Sequence, residues 1–242
     1  MSDAVNPIAA CAVDGAVPRL LRMLWPARCL ACGERGHGAR DLCLACADAL
    51  PWNRIACPRC ALPLPTPALA CGHCLRRPPP LDAIHAACMY ARPLDRLLPR
   101  FKFHGDLAAG RLLAQVMADA CAPLPRPDAL VPVPLHRARL RSRGYDQALE
   151  LAKPLARALH LPLRTDTLLR LRPTAPQSEL SALARRRNVR NAFVARADGA
   201  LPTHVVLVDD VMTTGATLHA AAKALRRAGV QRVDAWVCAR VP

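Results

Sequence analysis

The stretch VVLVDDVMTTGAT, residues 205–217, decides how the larger part of this chain is interpreted. Its four leading residues are apolar and predict a buried strand. Asp209 and Asp210 follow where that strand is expected to end, and Gly215 marks a turn before a helix that begins near Ala216. This order of strand, carboxylates, glycine turn and helix predicts a ligand site at the carboxyl end of a parallel sheet.

The turn after the carboxylates has the features of a phosphate site. Thr213, Thr214, Gly215, Ala216 and Thr217 bring together backbone N–H groups, the positive end of a helix dipole and hydroxyl donors. The two carboxylates repel a phosphate, so we expect them to face another part of the ligand, such as the hydroxyls of a sugar. An ordinary strand, turn and helix cap is the alternative. A P-loop is excluded because no Gly-Lys-Ser/Thr triplet is present there.

Helical and strand patterns alternate from residue 105 onward. We expect helices at residues 106–121, 146–159 and 216–228, and strands at residues 129–133, 163–169, 204–208 and 232–238. This alternation predicts an α/β domain with a mainly parallel sheet and flanking helices.

Two arginine-rich segments accompany the phosphate site. Residues 131–147, VPVPLHRARLRSRGYDQ, pass from an apolar strand into a cluster of arginines that suits a pyrophosphate. The cluster consists of Arg137, Arg139, Arg141 and Arg143. Residues 174–193, TAPQSELSALARRRNVRNAF, carry Gln177 and Arg185 among further basic residues. A solvated basic loop in the first segment and an exposed basic helix face in the second are the alternatives.

Eight of the twelve cysteines form four Cys-x-x-Cys pairs at a regular interval of 14 residues. The pairs are Cys29 with Cys32, Cys43 with Cys46, Cys57 with Cys60, and Cys71 with Cys74. Two such turns complete a tetrahedral thiolate shell, so the eight cysteines suffice for one or two structural zinc ions. Neighbouring or alternate pairs could combine, and His37 or His73 could replace a cysteine. A redox-active Cys-x-x-Cys is the alternative, but that chemistry needs a single pair at the start of a helix.

A proline-rich break, RRPPP at residues 76–80, separates the cysteine-rich part from the α/β part. We therefore expect a tail or short helix at residues 1–24, a small zinc-ribbon-like domain at residues 25–80 and the α/β domain at residues 81–242. Residues 25–80 show little apolar periodicity, so metal binding is expected to supply their folding free energy.

The chain of 242 residues carries 34 basic and 18 acidic residues, a formal net charge of +16. This excess favours phosphate-bearing ligands or nucleic acids as partners, although genome composition alone also produces arginine-rich chains. The content of 52% apolar and 21% charged residues excludes a chain that is disordered throughout. Neither a secretory signal nor an apolar run of about 20 residues is found, so we expect a cytoplasmic location.

The stretch LVDDVMTTGAT resembles the signature of type I phosphoribosyltransferases. By that resemblance, Asp209 and Asp210 hold the ribose hydroxyls of 5-phosphoribosyl 1-pyrophosphate (PRPP), which binds with magnesium, and residues 213–217 hold its 5-phosphate. Residues 174–193 resemble the mobile loop that closes over PRPP in amidophosphoribosyltransferase. The two aspartates, Arg143, Gln177 and Arg185 are then the candidate catalytic residues.

The order of motifs from about Cys29 to the C-terminus is similar to that of the ComF family. The motifs are the cysteine pairs, FKFHGD at residues 101–106, PVPLHR, RGYDQ, PQ with RRRNV and the signature stretch. This family combines a zinc-finger segment with a phosphoribosyltransferase-like domain and is associated with natural transformation or the use of external DNA. One departure is Asp146, which stands where the family usually has Asn.

Three functions follow from these observations. The favoured one is a PRPP-binding protein of the ComF type that handles incoming DNA, with single-stranded DNA and DNA-uptake proteins as partners. The others are an active phosphoribosyltransferase of nucleotide metabolism, similar to amidophosphoribosyltransferase, and a zinc-containing module that binds single-stranded DNA. No pattern identifies the phosphoribosyl acceptor, for which Tyr90, Phe101 and Phe103 are candidate stacking groups. The amphipathic residues 17–24 could dock on a partner or on a membrane surface, or fray as a tail.

Overall fold

The structure is a computed structural model of the chain and describes residues 27–38, 40–171, 192–196 and 200–242. Gln177, Arg185 and the amphipathic residues 17–24 lie outside these ranges. The chain divides into two compact units between Asp48 and Ala49. The three-part division expected from the sequence, with limits at residues 24 and 80, stays a prediction.

The described part of the first unit is a short ribbon. Arg28 pairs with Arg35 in an antiparallel bridge. The turn between them is closed by a hydrogen bond from the Gly33 amide to the Cys29 carbonyl at 2.8 Å. Gly33 has a φ of +85°, in the left-handed region that glycine enters without steric cost. Helix α1, Leu44–Asp48, follows.

The second unit begins with a copy of this ribbon. Ala56 pairs with Pro63 in a bridge that lies 28 residues after the first. The Ala61 amide donates to the Cys57 carbonyl at 2.8 Å, as Gly33 does in the first ribbon. Ala61 also has a positive φ, of +54°. Helix α2, Gly72–Arg76, stands where α1 stands in the first copy. The cysteine-rich region is therefore an internal repeat of one ribbon.

A four-stranded sheet forms the centre of the second unit, in the order β1, β6, β5, β2. The strands are β1 Ile84–Met89, β2 Ala129–Pro132, β5 His204–Met212 and β6 Arg232–Arg240. Every pairing in this sheet is parallel. Strands β3, Leu168–Arg170, and β4, Phe193–Ala195, form a separate antiparallel pair. The expected α/β fold with a mainly parallel sheet is confirmed, because the apolar runs of β5 and β6 are buried as such sheets require.

Helices cover both faces of this sheet. In the described ranges of the second unit they are α3 Leu94–His104, α4 Leu107–Cys121, α5 Arg137–Arg143, α6 Gln147–Leu159 and α7 Ala216–Arg227. Helix α7 shares a core with residues of the parallel strands, which include Ile84, Ala86, Val131, Val205, Leu207, Val233, Ala235 and Val237. Alternate strand residues point to opposite faces, and Cys238 of β6 lies near Cys121 of α4. Within the described ranges, no helix has the length and apolar character that crossing a membrane requires.

Three segments differ from what the sequence patterns indicate. The sequence indicates only candidate stacking aromatics in residues 81–105. In the structure, these residues form β1 and α3. The four arginines expected in a basic loop belong to helix α5. Strand β5 continues to Met212, because its pairing with β6 extends to Arg240. Asp209 and Asp210 are therefore held within the strand rather than after it.

Candidate functional site

Each ribbon gathers four cysteines whose sulfur atoms all lie within 4.8 Å of one another. The first set is Cys29, Cys32, Cys43 and Cys46, and the second is Cys57, Cys60, Cys71 and Cys74. Neighbouring pairs therefore combine, and neither set includes His37 or His73. Four converging thiols fit the tetrahedral coordination of zinc and leave no open position, as in structural zinc sites.

Hydrogen bonds favour the thiolate form at one cysteine of each cluster. Burial opposes ionisation of Cys29, but backbone N–H groups, led by that of Cys43, outweigh it and lower its pKa to about 6. Burial also opposes ionisation of Cys71, and hydrogen bonds from the Cys74 amide and thiol lower its pKa to about 7. The thiolate is the form that binds metal, so these hydrogen bonds favour the metal-binding form of Cys29 and of Cys71.

The second cluster is joined to the parallel sheet by hydrogen bonds. The Ile84 amide of β1 donates to the Pro58 carbonyl at 2.8 Å. Arg240, at the end of β6 and only 7% exposed, donates from Nε to the Cys60 carbonyl at 3.0 Å. Its Nη1 donates to the Met212 carbonyl at 3.2 Å. Arg240 therefore connects a cysteine of the second cluster to the end of β5.

Asp209 and Asp210 lie on the wall of a cleft of about 730 Å³ at the carboxyl end of β5. Asp210 is 5% exposed, and its Oδ2 forms an ion pair with Lys102 Nζ at 2.7 Å. Burial, and then the charge of Asp210, disfavour ionisation of Asp209 and raise its pKa to about 8. The charge of Lys102 opposes this shift, because a nearby cation favours the ionised carboxylate.

The turn that follows β5 depends on a glycine. Gly215 has a φ of +73°, in the left-handed region that side chains rarely adopt, and a Cβ at this position would lie 2.6 Å from Met212 Cε. Glycine is therefore favoured chiefly by the backbone conformation. Helix α7 begins at the next residue, so the N–H groups of its first turn have no partner within the helix. An anion is favoured at such a helix start.

Most of the residues predicted to bind phosphate lie on the cleft. Thr213, Gly215, Ala216 and Thr217 line it. Thr214 lines a neighbouring groove instead, and its Oγ1 accepts a hydrogen bond from the Ala216 amide at 3.4 Å. The side chain of Thr214 therefore stabilises the turn from the side of the neighbouring groove.

Helix α5 presents two of its four arginines to the cleft. Arg139 and Arg143 lie one turn apart and line it, whereas Arg137 and Arg141 are exposed. Arg170 of β3 also lines the cleft, and burial, followed by the charge of Arg139, lowers its pKa to about 10. Three guanidinium groups among the described residues thus surround the cleft, which suits a ligand with several phosphates.

Two contacts fix the position of Arg143. Its Nη1 donates to Gln147 Oε1 at 2.6 Å, and its guanidinium lies 5.4 Å from the centroid of the Phe103 ring.

Asp146, which lies between Arg143 and Gln147 in the chain, has a structural role. Its Oδ1 accepts from the Leu149 amide at 3.2 Å and caps helix α6, while Oδ2 accepts from the Leu135 amide at 2.8 Å.

Two cations of the cleft, Lys102 and Arg170, were not among the candidates from the sequence. Lys102 is one of only three lysines in a chain rich in arginine, and this rarity was the signal that could have found it. Of the three candidate stacking aromatics, Tyr90 and Phe103 line the cleft, but Phe101 is fully buried.

A second groove, of about 1180 Å³, lies beside the second ribbon and helix α7. Among its described lining residues are six cations, Arg59, Arg77, Lys223, Arg226, Arg227 and Arg240. The one carboxylate of this lining is Asp82, which pairs with Arg226. Met212 and Ala216 line both the groove and the cleft, so the two are neighbours. We name this feature the basic groove.

Comparisons with known proteins cover both parts of the chain. A double zinc ribbon domain matches residues 20–75, and a phosphoribosyl transferase domain matches residues 146–242. Competence protein F of Haemophilus influenzae is 38% identical over 174 residues, which are 69% of this chain and 76% of that protein. DNA utilization protein YhgH of Salmonella typhi is 40% identical over 175 residues, which are 69% and 75% of the two chains.

Among solved structures, glutamine PRPP amidotransferase from B. subtilis is similar to part of the chain. The likeness has a TM-score of 0.37 and 24% identity, and it covers 53% of this chain and 25% of that one.

Proposed function

The chain belongs to the ComF family, that of competence protein F and DNA utilization protein YhgH, and we propose that it binds PRPP and acts in the handling of incoming DNA. The family and its combination of a double zinc ribbon with a phosphoribosyltransferase domain were expected from the motif order and are confirmed. One observation carries the proposal of PRPP as the ligand. Asp209 and the buried Asp210 come shortly before the Gly215 turn, in a cleft that three arginines line.

Each part of PRPP has a matching group in this proposal. Asp209 and Asp210 accept hydrogen bonds from the ribose hydroxyls, and the turn at residues 213–217 binds the 5-phosphate. Arg139 and Arg143 bind the pyrophosphate, which magnesium accompanies. We retain the prediction that Gln177 and Arg185 close over the ligand.

Calorimetric titration of the zinc-loaded protein with PRPP and magnesium tests the proposal. We expect saturable binding by the unmodified protein and its loss in Asp209→Ala/Asp210→Ala. Asp166→Ala, which removes an exposed carboxylate outside the cleft lining, is the matched control and should bind PRPP as the unmodified protein does. A folded protein that shows no saturable binding, or a double variant that binds normally, would contradict the proposal.

We also propose that the cleft transfers the phosphoribosyl group to an acceptor. In such a transfer, the bond from C1 of the ribose to pyrophosphate breaks and a bond from C1 to the acceptor forms. The chain's part is to stabilise the developing charges through Arg139, Arg143 and the carboxylates, and this needs little acid or base chemistry. Release of pyrophosphate in the presence of nucleobases, amines or ammonia is the measurement, and no release with any of them would contradict enzymatic activity.

A second function, the binding of single-stranded nucleic acid, is favoured by the basic groove. Its lining has six cations but no Phe, Tyr or Trp among the described residues, so contact with the phosphate backbone is favoured over base stacking. Affinity for single-stranded DNA should fall steeply with salt and persist in Asp209→Ala. Arg77→Glu/Lys223→Glu/Arg227→Glu should abolish it, whereas Arg157→Glu/Arg164→Glu, on exposed residues outside the groove, should not.

We place this activity in the cytoplasm, where cysteines stay reduced and able to bind zinc. DNA-uptake proteins as partners and a peripheral contact of residues 17–24 with the membrane stay predictions.

A further inference from the structure

Lys102 lies at the centre of the charges in the cleft. It belongs to helix α3 and lines the cleft, and its side chain is 31% exposed. Its Nζ lies 2.7 Å from Oδ2 of Asp210, the more buried carboxylate of the pair. Burial disfavours the ammonium, but the charges of Asp210 and Asp209 outweigh it and raise the pKa of Lys102. The ammonium is therefore charged throughout the physiological range.

Lys102 forms an ion pair with Asp210, and its charge also holds the pKa of Asp209 below the value that burial and Asp210 would otherwise produce. Arg170 is a second cation whose charge interacts with that of Asp209. The other titratable groups that act on the pair or on Lys102 from the packed elements are Asp146, Arg143 and, on β6, the Cys238 thiol.

Two carboxylates in the cleft disfavour the binding of a ligand that carries several negative charges. Two uncompensated negative charges repel phosphates, and they take up a proton that turns a hydrogen-bond acceptor into a donor. A ribose hydroxyl that donates a hydrogen bond needs a carboxylate in its acceptor form. A fixed cation beside the pair reduces both effects, because it lowers the net negative charge of the site and favours the ionised form of the carboxylates.

We propose that Lys102 is a positioning residue for PRPP, whose ammonium keeps the carboxylates Asp209 and Asp210 available as acceptors for the ribose hydroxyls. Lys102 acts through the two aspartates and is not itself a catalytic residue. The inference rests on the proposed function, since it concerns the ribose part of the PRPP site.

The first arm of the experiment needs no ligand. The carboxyl ¹³C resonance of Asp209 is titrated with pH in the zinc-loaded full chain and in Lys102→Met and Lys102→Arg. Lys102→Met should raise the pKa of Asp209 above its value of about 8 by about one pH unit or more, because a countercharge at ion-pair distance is lost. Lys102→Arg should leave it near the unmodified value.

Lys153 provides a matched control. Its Nζ forms an ion pair with Glu150 Oε1, also at 2.7 Å, but it does not line the cleft. Lys153→Met therefore removes the same charge and an ion pair of the same length, and it should not change the titration of Asp209.

The second arm measures PRPP affinity by calorimetry between pH 7 and pH 9. Lys102→Met should bind PRPP about tenfold more weakly at pH 8, and the difference should shrink toward pH 9 as the carboxylates ionise. Lys102→Arg should recover most of the affinity, and Lys153→Met should bind normally. A merely structural role would weaken binding equally at every pH.

The outcomes separate this inference from the function on which it rests. An unchanged Asp209 titration in Lys102→Met, or a loss of affinity that is independent of pH, overturns the role of Lys102 even if the unmodified protein binds PRPP. If the unmodified protein binds no PRPP, the proposed function fails, and with it the role of Lys102 in ribose binding. A shift of the Asp209 titration would then show only that the lysine sets the charge of the pair.

Discussion

The two ribbons share one backbone and have different surroundings. In each, the residue after the second cysteine has a positive φ, and its amide closes the turn at 2.8 Å: Gly33 in the first and Ala61 in the second. Each ribbon also places four sulfur atoms within 4.8 Å of one another. Since the residues between the cysteines differ, the two ribbons share the spacing of the cysteines and the geometry of the turn, and not a common sequence.

The difference lies in what the ribbons pack against within their own units. In the described part of the first unit, the buried apolar residues are Cys29 and Leu42. In the second, Ala61 is fully buried in the core that also contains Phe193 and Leu207. The first ribbon therefore depends on metal for its folding free energy, whereas the second is an integral part of the phosphoribosyltransferase-like unit.

The largest expected effect follows from removal of the second zinc site. Cys57→Ser/Cys60→Ser should lower the melting temperature of the second unit by about 10 °C or more and weaken PRPP binding at least about tenfold, because structural zinc contributes directly to folding. Calorimetry and zinc analysis measure both effects. Unchanged PRPP binding in this variant would show that the second ribbon is as independent of the cleft as the first.

The matched change in the first ribbon should have a large but local effect. Cys29→Ser/Cys32→Ser should abolish hydrogen-exchange protection in residues 27–48, because few other contacts stabilise them. All the described residues that line the cleft belong to the second unit, so PRPP affinity should stay within about threefold. A loss of PRPP binding equal to that of the second-site variant would remove the contrast between the ribbons.

A smaller effect is expected at the contact between the second ribbon and the sheet. Arg240→Met leaves the Cys60 and Met212 carbonyls without their charged donor and should lower the free energy of unfolding by about 2–4 kcal/mol. Urea denaturation measures this change. The control is Lys153→Met, which removes an ion pair with Glu150 between two partly exposed side chains and should cost about 1 kcal/mol or less. Equal costs for the two variants would contradict the role of Arg240.

The smallest effects are expected at the two positions with positive φ. Gly33→Ala should weaken zinc binding at the first site by about 1 kcal/mol, because the left-handed backbone is strained by a Cβ that has nothing within 4 Å to contact. Ala61→Gly relieves similar strain but removes a buried methyl worth about 0.8 kcal/mol, so its net effect should be under about 0.5 kcal/mol. Competition with a chelator measures zinc affinity, and a larger effect at Ala61 would contradict the comparison.

The sheet and the phosphate turn could be predicted from the sequence because their signals are local. Four apolar residues, two carboxylates and a glycine follow one another within a dozen positions, and the structure keeps that order at the end of β5. The pairing of the cysteines could not be predicted, because the uniform spacing makes neighbouring and alternate pairs equivalent along the chain.

The remaining parts of the site depend on contacts between distant residues. Lys102 faces Asp210 only because helix α3 packs beside the end of β5, and no local pattern indicates this contact. Helix α3 itself contains Pro99, a residue that usually argues against a helix interior. Helix α5 has no buried residue, so it lacks the apolar periodicity by which helices are recognised.

The order of strands in the sheet has a consequence for how the protein is made. Strand β6 comes after the other strands in the chain but lies between β1 and β5. On the ribosome, the turn at Cys60 is therefore complete long before Arg240, which follows it by 180 residues, is synthesised. The second ribbon can take up its metal early, but it gains its anchor only when β6 enters the sheet. Such long-range pairing is slow, so during synthesis there is an interval in which the edges of β1 and β5 are exposed. In that interval a chaperone can bind and protect these edges.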